Sequence, residues 1–243
     1  MPRANRYIQP GYLYHITHRC HDRSFLLKFS QDRNYYRKWL HEAAARFKVS
    51  VLGYCVTCNH IHLVLRSCAK DSIGRLMHLL QSRSAQHYNW RKGRKGAYWE
   101  DRYSCTMIDS GRYLWNCLVY IDLNMVRAGK VKHPLEWEWC GYNEFMGTRK
   151  RYRILNTEIL LPLLGYSDLQ KARDSYSDWI SKWIVRGDIA RNPIWTGSLA
   201  VGNKRFVESI RKHSRRVRTY INEEVTPEGI SIWSVMEERS PYT

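Results

Sequence analysis

Residues 50–66 read Ser50-Val51-Leu52-Gly53-Tyr54-Cys55-Val56-Thr57-Cys58-Asn59-His60-Ile61-His62-Leu63-Val64-Leu65-Arg66, and they decide the fold. Two apolar, β-branched runs flank Thr57-Cys58-Asn59, a short polar turn, so the stretch predicts a hairpin from about Ser50 to Val56 and from His60 to Arg66. Successive side chains of a strand point to opposite faces. His60 and His62 therefore share one face, and Ile61, Leu63 and Leu65 share the other. The apolar set belongs under a layer of helices, which leaves both imidazoles on the opposite face.

The flanking segments supply the rest of the sheet. Upstream, Gly11 to Arg19 sets Tyr12, Tyr14 and Ile16 on one face, a strand signature. Ser30 then suits the cap of a helix to about Phe47, with Asp32 in its first turn and Tyr36, Leu40, Ala43 or Ala44, and Phe47 at helical spacing. Downstream, Asp71 or Ser72 suits the cap of a second helix carrying Ile73, Met77, Leu80 and Tyr88 on one stripe. A basic, glycine-punctuated loop, Arg91-Lys92-Gly93-Arg94-Lys95-Gly96, precedes a strand from about Tyr98 to Ile108. The order is β-α-β-β-α-β. It predicts an α+β, ferredoxin-like split β-α-β fold, an antiparallel sheet with two helices on one face. A third helix, capped by Asp109 or Ser110, runs to about Ala128 and is closed by Gly129. It needs the open face or the edge of the sheet.

These elements define a domain over residues 1–147. Thr148 to Arg153 reads as a basic linker, and 148–243 as a mostly helical C-terminal extension of unknown role, anchored by Leu160–Gly165 and by Trp179, Ile180, Trp183 and Ile184. The charge is uneven. The 243 residues carry 40 Lys+Arg against 22 Asp+Glu, a formal net charge of +18. Residues 1–150 hold 25 basic and 11 acidic side chains, net +14, and the remainder holds 15 and 11, net +4. An excess of this size points to a polyanionic partner, and its location points to the first domain. Ten Trp and 17 Tyr add faces on which unpaired bases can stack. The seven cysteines are odd in number and irregularly spaced, which reads as reduced thiols of a cytoplasmic protein. No apolar run is long enough to span a membrane and no apolar signal core follows the N-terminus.

The third helix carries the chemistry. Tyr120 and Asn124 are four residues apart and share a face. Leu114, Leu118, Ile121 and Met125 form an adjacent apolar stripe that can bind the helix to the sheet. Tyr120 and Asn124 then reach the histidines. Two neutral imidazoles and an amide oxygen make a metal site with open positions, suited to Mg²⁺ or Mn²⁺ and also open to a softer metal. A phenol with a pKa near ~10 is a poor nucleophile until a cation makes the phosphorus electrophilic. Tyr113 and Tyr103 are alternative phenols. Cys55-x-x-Cys58 beside the histidines admits a structural zinc, although a turn separates their strand directions. Arg91, Lys92, Arg94 and Lys95 of the basic loop, and the run from Arg211 to Arg218, are candidate phosphate contacts. Arg19, Arg102 and Arg127 lie nearer the expected site.

Three separated segments make a family resemblance specific. They are Tyr14-His15-Ile16-Thr17-His18-Arg19, Cys58-Asn59-His60-Ile61-His62-Leu63-Val64-Leu65, and Tyr120-Ile121-Asp122-Leu123-Asn124-Met125-Val126-Arg127-Ala128-Gly129, trailed by Pro134-x-x-Trp137-x-Trp139. The chain resembles the REP-associated tyrosine transposases, relatives of the small HUH single-strand transposases. The resemblance implies His60 and His62 as metal ligands and Tyr120 as the single nucleophile. It also implies cleavage of single-stranded DNA beside palindromic hairpins, leaving a 5′-phosphotyrosine and a free 3′ hydroxyl. Two positions depart from the family pattern. Thr57-Cys58-Asn59 stands where Met-Pro-Asn is usual, and Asn124-Met125 where Asn-Pro is usual. Neither removes a ligand or the nucleophile. Two functions follow as expectations: a metal-dependent endonuclease and strand transferase, or a domesticated hairpin-binding protein that does not cut. A nucleoid location in a prokaryote and a monomer or homodimer are compatible with both.

Overall fold

A computed structural model describes residues 8–149, 153–187, 189–214, 218–226 and 229–238. The first half runs β1 (Leu13–Arg19), α1 (Ser30–Phe47), β2 (Val49–Val56), β3 (His60–Ser67), α2 (Ser72–Arg91) and β4 (Ser104–Ile108). These strands lie side by side as β2-β3-β1-β4, each pair antiparallel, which is the expected ferredoxin-like arrangement. Ile61, Leu63 and Leu65 join Tyr14 and Ile16 in one apolar cluster with Tyr36, Leu40, Met77 and Leu80 of α1 and α2. The face assignment read from alternation therefore holds.

The opposite face is covered by α3 (Arg112–Asp122) and α4 (Asn124–Arg127). Leu114, Leu118, Ile121 and Met125 are buried there beside Leu13, Val64 and Ile108 of the sheet. The helices are one rod with a local break at Leu123, bridged by bonds from Leu123 N to Val119 O and from Arg127 N to Leu123 O. The approach to β2 is close. A Cβ at Gly53 would lie 2.4 Å from Leu118 Cδ2, and the pairing register of β2 shifts at this glycine. Gly129, at φ +63°, closes the rod, with its own N–H on Val126 O and that of Lys130 on Met125 O.

Local details differ from the sequence expectation. Phe29, not Ser30, occupies the N-cap of α1. Gly111 precedes α3, and the Asp109 carboxylate instead accepts from Ser110 N and from the Asn203 side chain. Only Ser104–Ile108 of the expected 98–108 strand joins the sheet. Tyr98 and Trp99 turn into the helix-side core, and Trp99 keeps a single bridge to Cys20.

The larger difference lies beyond residue 147. After α5 (Gly141–Phe145), this region supplies the helices α6 (Thr157–Leu163), α7 (Leu169–Arg186), α8 (Ile194–Gly197) and α9 (Lys204–His213). It also supplies β5 (Ala200–Gly202), β6 (Thr219–Val225) and β7 (Ser231–Glu237). β5 pairs in parallel with β4, and β7 and β6 follow, so one sheet has the order β2-β3-β1-β4-β5-β7-β6. Leu160, Leu164, Tyr176 and Ile180 are buried in the same cluster as α3. The mostly helical extension thus continues the first domain's sheet and covers its added helix. Of the 148–153 segment expected as a linker, residues 150–152 lie outside the described ones.

The trailing tryptophans protect the other edge. Trp139 O accepts from Val56 N, and Trp137 Nε1 donates to Val56 O, so β2 is not left with an open ladder. The Arg33 guanidinium of α1 lies 4.8 Å and 3.7 Å from these two rings.

Candidate active site

The site forms where β1, β3 and the α3–α4 rod meet. Thr17 of β1 sits directly opposite His62 of β3, and His15 stands diagonal to it on the same face. His15 Nε2 is 2.9 Å from His62 Nδ1, and His15 Nδ1 is 2.7 Å from the Trp195 carbonyl oxygen. Thr17 Oγ1 lies 3.2 Å from the same His62 nitrogen. On the other side of the His62 ring, Nε2 is 3.0 Å from the Asn124 side-chain amide.

Burial sets the protonation of this cluster. It lowers His15 to about 4, with the bond to Trp195 opposing the shift. His60 is also lowered to about 4, by burial first and then by Arg19, Arg191 and Arg127. His62 falls well below the ordinary imidazole value, by burial and then by the neighbouring His60 and His15. Each neutral ring has one N–H. The Trp195 carbonyl can only accept, so His15 donates from Nδ1 and carries its lone pair on Nε2. His62 must then donate from Nδ1, which leaves its Nε2 lone pair toward Asn124. His60 Nδ1 is 2.7 Å from Asn59 Oδ1, which can only accept, so its lone pair also falls on Nε2.

Tyr120 completes the arrangement. Its ring lies 5.9 Å from that of His62 and 6.1 Å from that of His15, both edge-on, and 6.2 Å from the Trp195 ring. The Arg127 guanidinium sits 4.5 Å over the phenol ring and donates to the Tyr120 carbonyl and to Ile189 O. Burial raises the Tyr120 hydroxyl above the ordinary phenol value, and Arg127 and Arg191, the latter through a side-chain hydrogen bond, pull it back. One cleft of about 620 Å³ collects His60, His62, Tyr120 and Asn124 with the cations Arg19, Arg102, Arg127 and Arg191. The four residues proposed to do chemistry and three of the expected phosphate contacts therefore share one concavity.

The donor set fits a divalent cation. His60 and His62 present neutral lone pairs, and Asn124 supplies an oxygen when its amide turns about its last torsion. Among the described residues no three His, Cys, Asp or Glu side chains converge as a metal cluster, so a site here has only two such donors and an amide. The alternative zinc reading needs Cys55 and Cys58 to converge with the histidines, and no such group forms among the described residues.

Residues 9–124 match the sequence model of a family described as "Transposase IS200 like". This segment, a little under half of the chain, is similar to the IS200-like transposases. Comparison with curated protein sequences gives no match. Among solved structures, the chain is similar to a REP-associated tyrosine transposase determined bound to a REP hairpin. The two are 19% identical, the alignment covers 63% of this chain and 90% of that one, and the TM-score is 0.51. That likeness shows a shared fold. A Deinococcus radiodurans protein described as a transposase candidate is 16% identical, over 43% of this chain and 84% of that one, with a TM-score of 0.34.

Several expected phosphate contacts lie elsewhere. Arg91, Lys92, Arg94 and Lys95 do not line the cleft. Arg91 pairs with the buried Asp32, Lys92 Nζ stands 4.9 Å from the Phe29 ring, and Arg94 donates to Ala97 O within its own loop. Arg211 and Lys212 end α9, while Arg215 and Arg216 fall outside the described residues. Of the alternative phenols, Tyr103 belongs to the helix-side core, and Tyr113 accepts from Arg112.

Sequence reasoning missed His15, Arg191 and Trp195. A signal for His15 existed, because it alternates with Tyr14 and Ile16 on the strand that pairs with β3. Arg191, in an irregular segment, and Trp195, in the one-turn helix α8, lie far from the recognisable motifs and carry no such signal.

Proposed function

We propose that this chain is a metal-dependent endonuclease and strand transferase of single-stranded DNA, acting beside hairpins through a covalent 5′-phosphotyrosine. The observation that carries the reading is the shared cleft, in which the Tyr120 ring lies 5.9 Å from the His62 ring. A hairpin substrate is supported by the structural relative solved on a REP hairpin.

His60, His62 and Asn124 would hold the divalent cation, Mg²⁺ or Mn²⁺. When bound, it makes the scissile phosphorus electrophilic and stabilises the departing 3′ oxygen. The protein's own groups supply the rest. Arg127 and Arg191 neutralise the scissile phosphate and lower the cost of ionising a buried phenol. The Tyr120 oxygen attacks phosphorus, and the phosphorus–O3′ bond breaks as the phosphotyrosine bond forms. The phenol proton passes to water in the open cleft, and the leaving 3′ oxygen takes one up. Attack of a 3′ hydroxyl on the phosphotyrosine reverses the step, so bond energy is retained without a nucleotide cofactor.

The test is an oligonucleotide with a palindromic hairpin and a single-stranded foot, labelled at either end and incubated with Mn²⁺. The reading predicts one cleaved product with a free 3′ hydroxyl, and its complementary piece shifted on a denaturing gel by covalent protein. EDTA and Tyr120→Phe each remove both. Hairpin binding with no cleavage under any divalent cation would leave the non-cutting binder instead.

A further inference from the structure

The cleft that holds the histidines shares Tyr120, Arg127 and Arg191 with a second cavity of about 510 Å³. Its walls are aromatic. Trp179 and Trp183 come from α7, and Trp195, whose ring is 6.2 Å from that of Tyr120, comes from the segment before β5. Trp179 is 44% exposed and Trp195 is buried, so the cavity opens to solvent and closes against the nucleophile. Asn116, Asn192, Thr226 and the acidic Glu224 are among its polar lining. Asn192 is already committed, donating to Glu224 and accepting from Ile194 N. The Asn116 side-chain amide, by contrast, makes no hydrogen bond among the described residues. Arg112 adds a third guanidinium to those of Arg127 and Arg191.

We propose that this cavity binds an unpaired nucleobase of the nucleic-acid strand whose phosphate lies at Tyr120. The inference rests on the proposed function for the location of that phosphate. Three observations select the occupant. A strand with one phosphate beside Tyr120 places its adjoining nucleotide within reach of the shared wall. The guanidinium groups match the charge of its backbone, and the tryptophans present faces on which any base can stack. The volume lies within the range of small-ligand pockets. Every wall but the side formed by the α3–α4 rod is built by residues beyond 178, outside the matched segment 9–124, so base capture is a role for the extension.

The experiment compares a ten-unit oligothymidylate with a ten-unit abasic strand of equal charge, each carrying a fluorophore, by anisotropy in EDTA. The base-bearing strand is expected to bind about ten-fold more tightly, the low end of one stacked base. Trp183→Ala should shrink the ratio to about three-fold or less, and Trp183→Phe should keep it. Trp179→Ala, at an exposed position, should weaken the ratio without unfolding the protein. Equal binding of the two strands by the wild type overturns the proposal. So does a ratio that survives both alanine variants. Because no chemistry occurs in EDTA, the ratio and the covalent adduct succeed or fail independently.

Discussion

His15 Nε2 lies 2.9 Å from His62 Nδ1, and the far nitrogen of His15 is held by the carbonyl of Trp195. This chain of contacts orients the ring of His62 and puts its lone pair on the nitrogen that faces Asn124. Groups that orient a metal-bound histidine typically change metal affinity 10–100-fold when removed. His15→Ala is therefore expected to weaken Mn²⁺ binding, followed by calorimetric titration, by about that factor, with helix content by circular dichroism unchanged. Full affinity in the variant would show that His62 needs no such support.

Asp122 gives a pH-dependent prediction. Its carboxyl is buried beside Tyr176, accepts that hydroxyl at 2.7 Å, and leaves its second oxygen unpartnered. Burial raises it to about 7, with bonds from Tyr176 and the Tyr142 backbone opposing the shift. A carboxyl raised in the folded state binds its proton more tightly there than in the unfolded chain. Folding is thus penalised progressively as pH rises from about 4 toward 7. Asp122→Asn keeps a group that accepts from Tyr176 and cannot ionise. The stability of the variant relative to wild type, from urea unfolding, should climb by a few kcal/mol across that window and level off above it. A difference independent of pH would contradict the raised value.

Gly53 lets the nucleophile's helix lie on the sheet. With Leu118 Cδ2 2.4 Å from where a Cβ would stand, Gly53→Ala must push a buried side chain aside. The expected cost is about 1–3 kcal/mol, read from chemical unfolding. Cleavage should fall further than that loss explains, because Tyr120 rides on the displaced helix. Unchanged stability and cleavage would mean the contact relaxes freely.

The extension should not be removable. A fragment of residues 1–147 exposes the open edge of β4, normally paired with β5, and the apolar surface of α3 that Leu160, Tyr176 and Ile180 cover. It also lacks Trp195, on which His15 depends. Such a fragment is expected to aggregate or to unfold without cooperativity in a thermal melt. A monomeric fragment with a sharp transition would show that residues 1–147 fold without the extension.

What could be read from residues 8–130 and what could not follow from the range of the contacts involved. Alternation along His60–Leu65 separates the two faces of β3 whatever lies far away, and helical spacing brings Asn124 onto the face of Tyr120. The ends of elements were less legible, because Phe29 and Gly111 start helices without a side-chain cap and leave no local signature. Beyond residue 147 the evidence is long-range. β5 has three residues and is a strand because β4 and β7 flank it. The reach from Trp195 to His15 spans 180 positions, so no spacing rule reports it.

The most direct measurement is to locate the DNA on the protein. After incubation with a hairpin oligonucleotide and Mn²⁺, nuclease trimming and trypsin should leave a nucleotide remnant on the peptide from Tyr113 to Arg127, which contains both Tyr113 and Tyr120. Fragmentation by tandem mass spectrometry is expected to place the added phosphate on Tyr120. A remnant on Tyr113 or on any other residue, or cleaved DNA with no modified peptide, would contradict Tyr120 as the nucleophile acting beside His60 and His62.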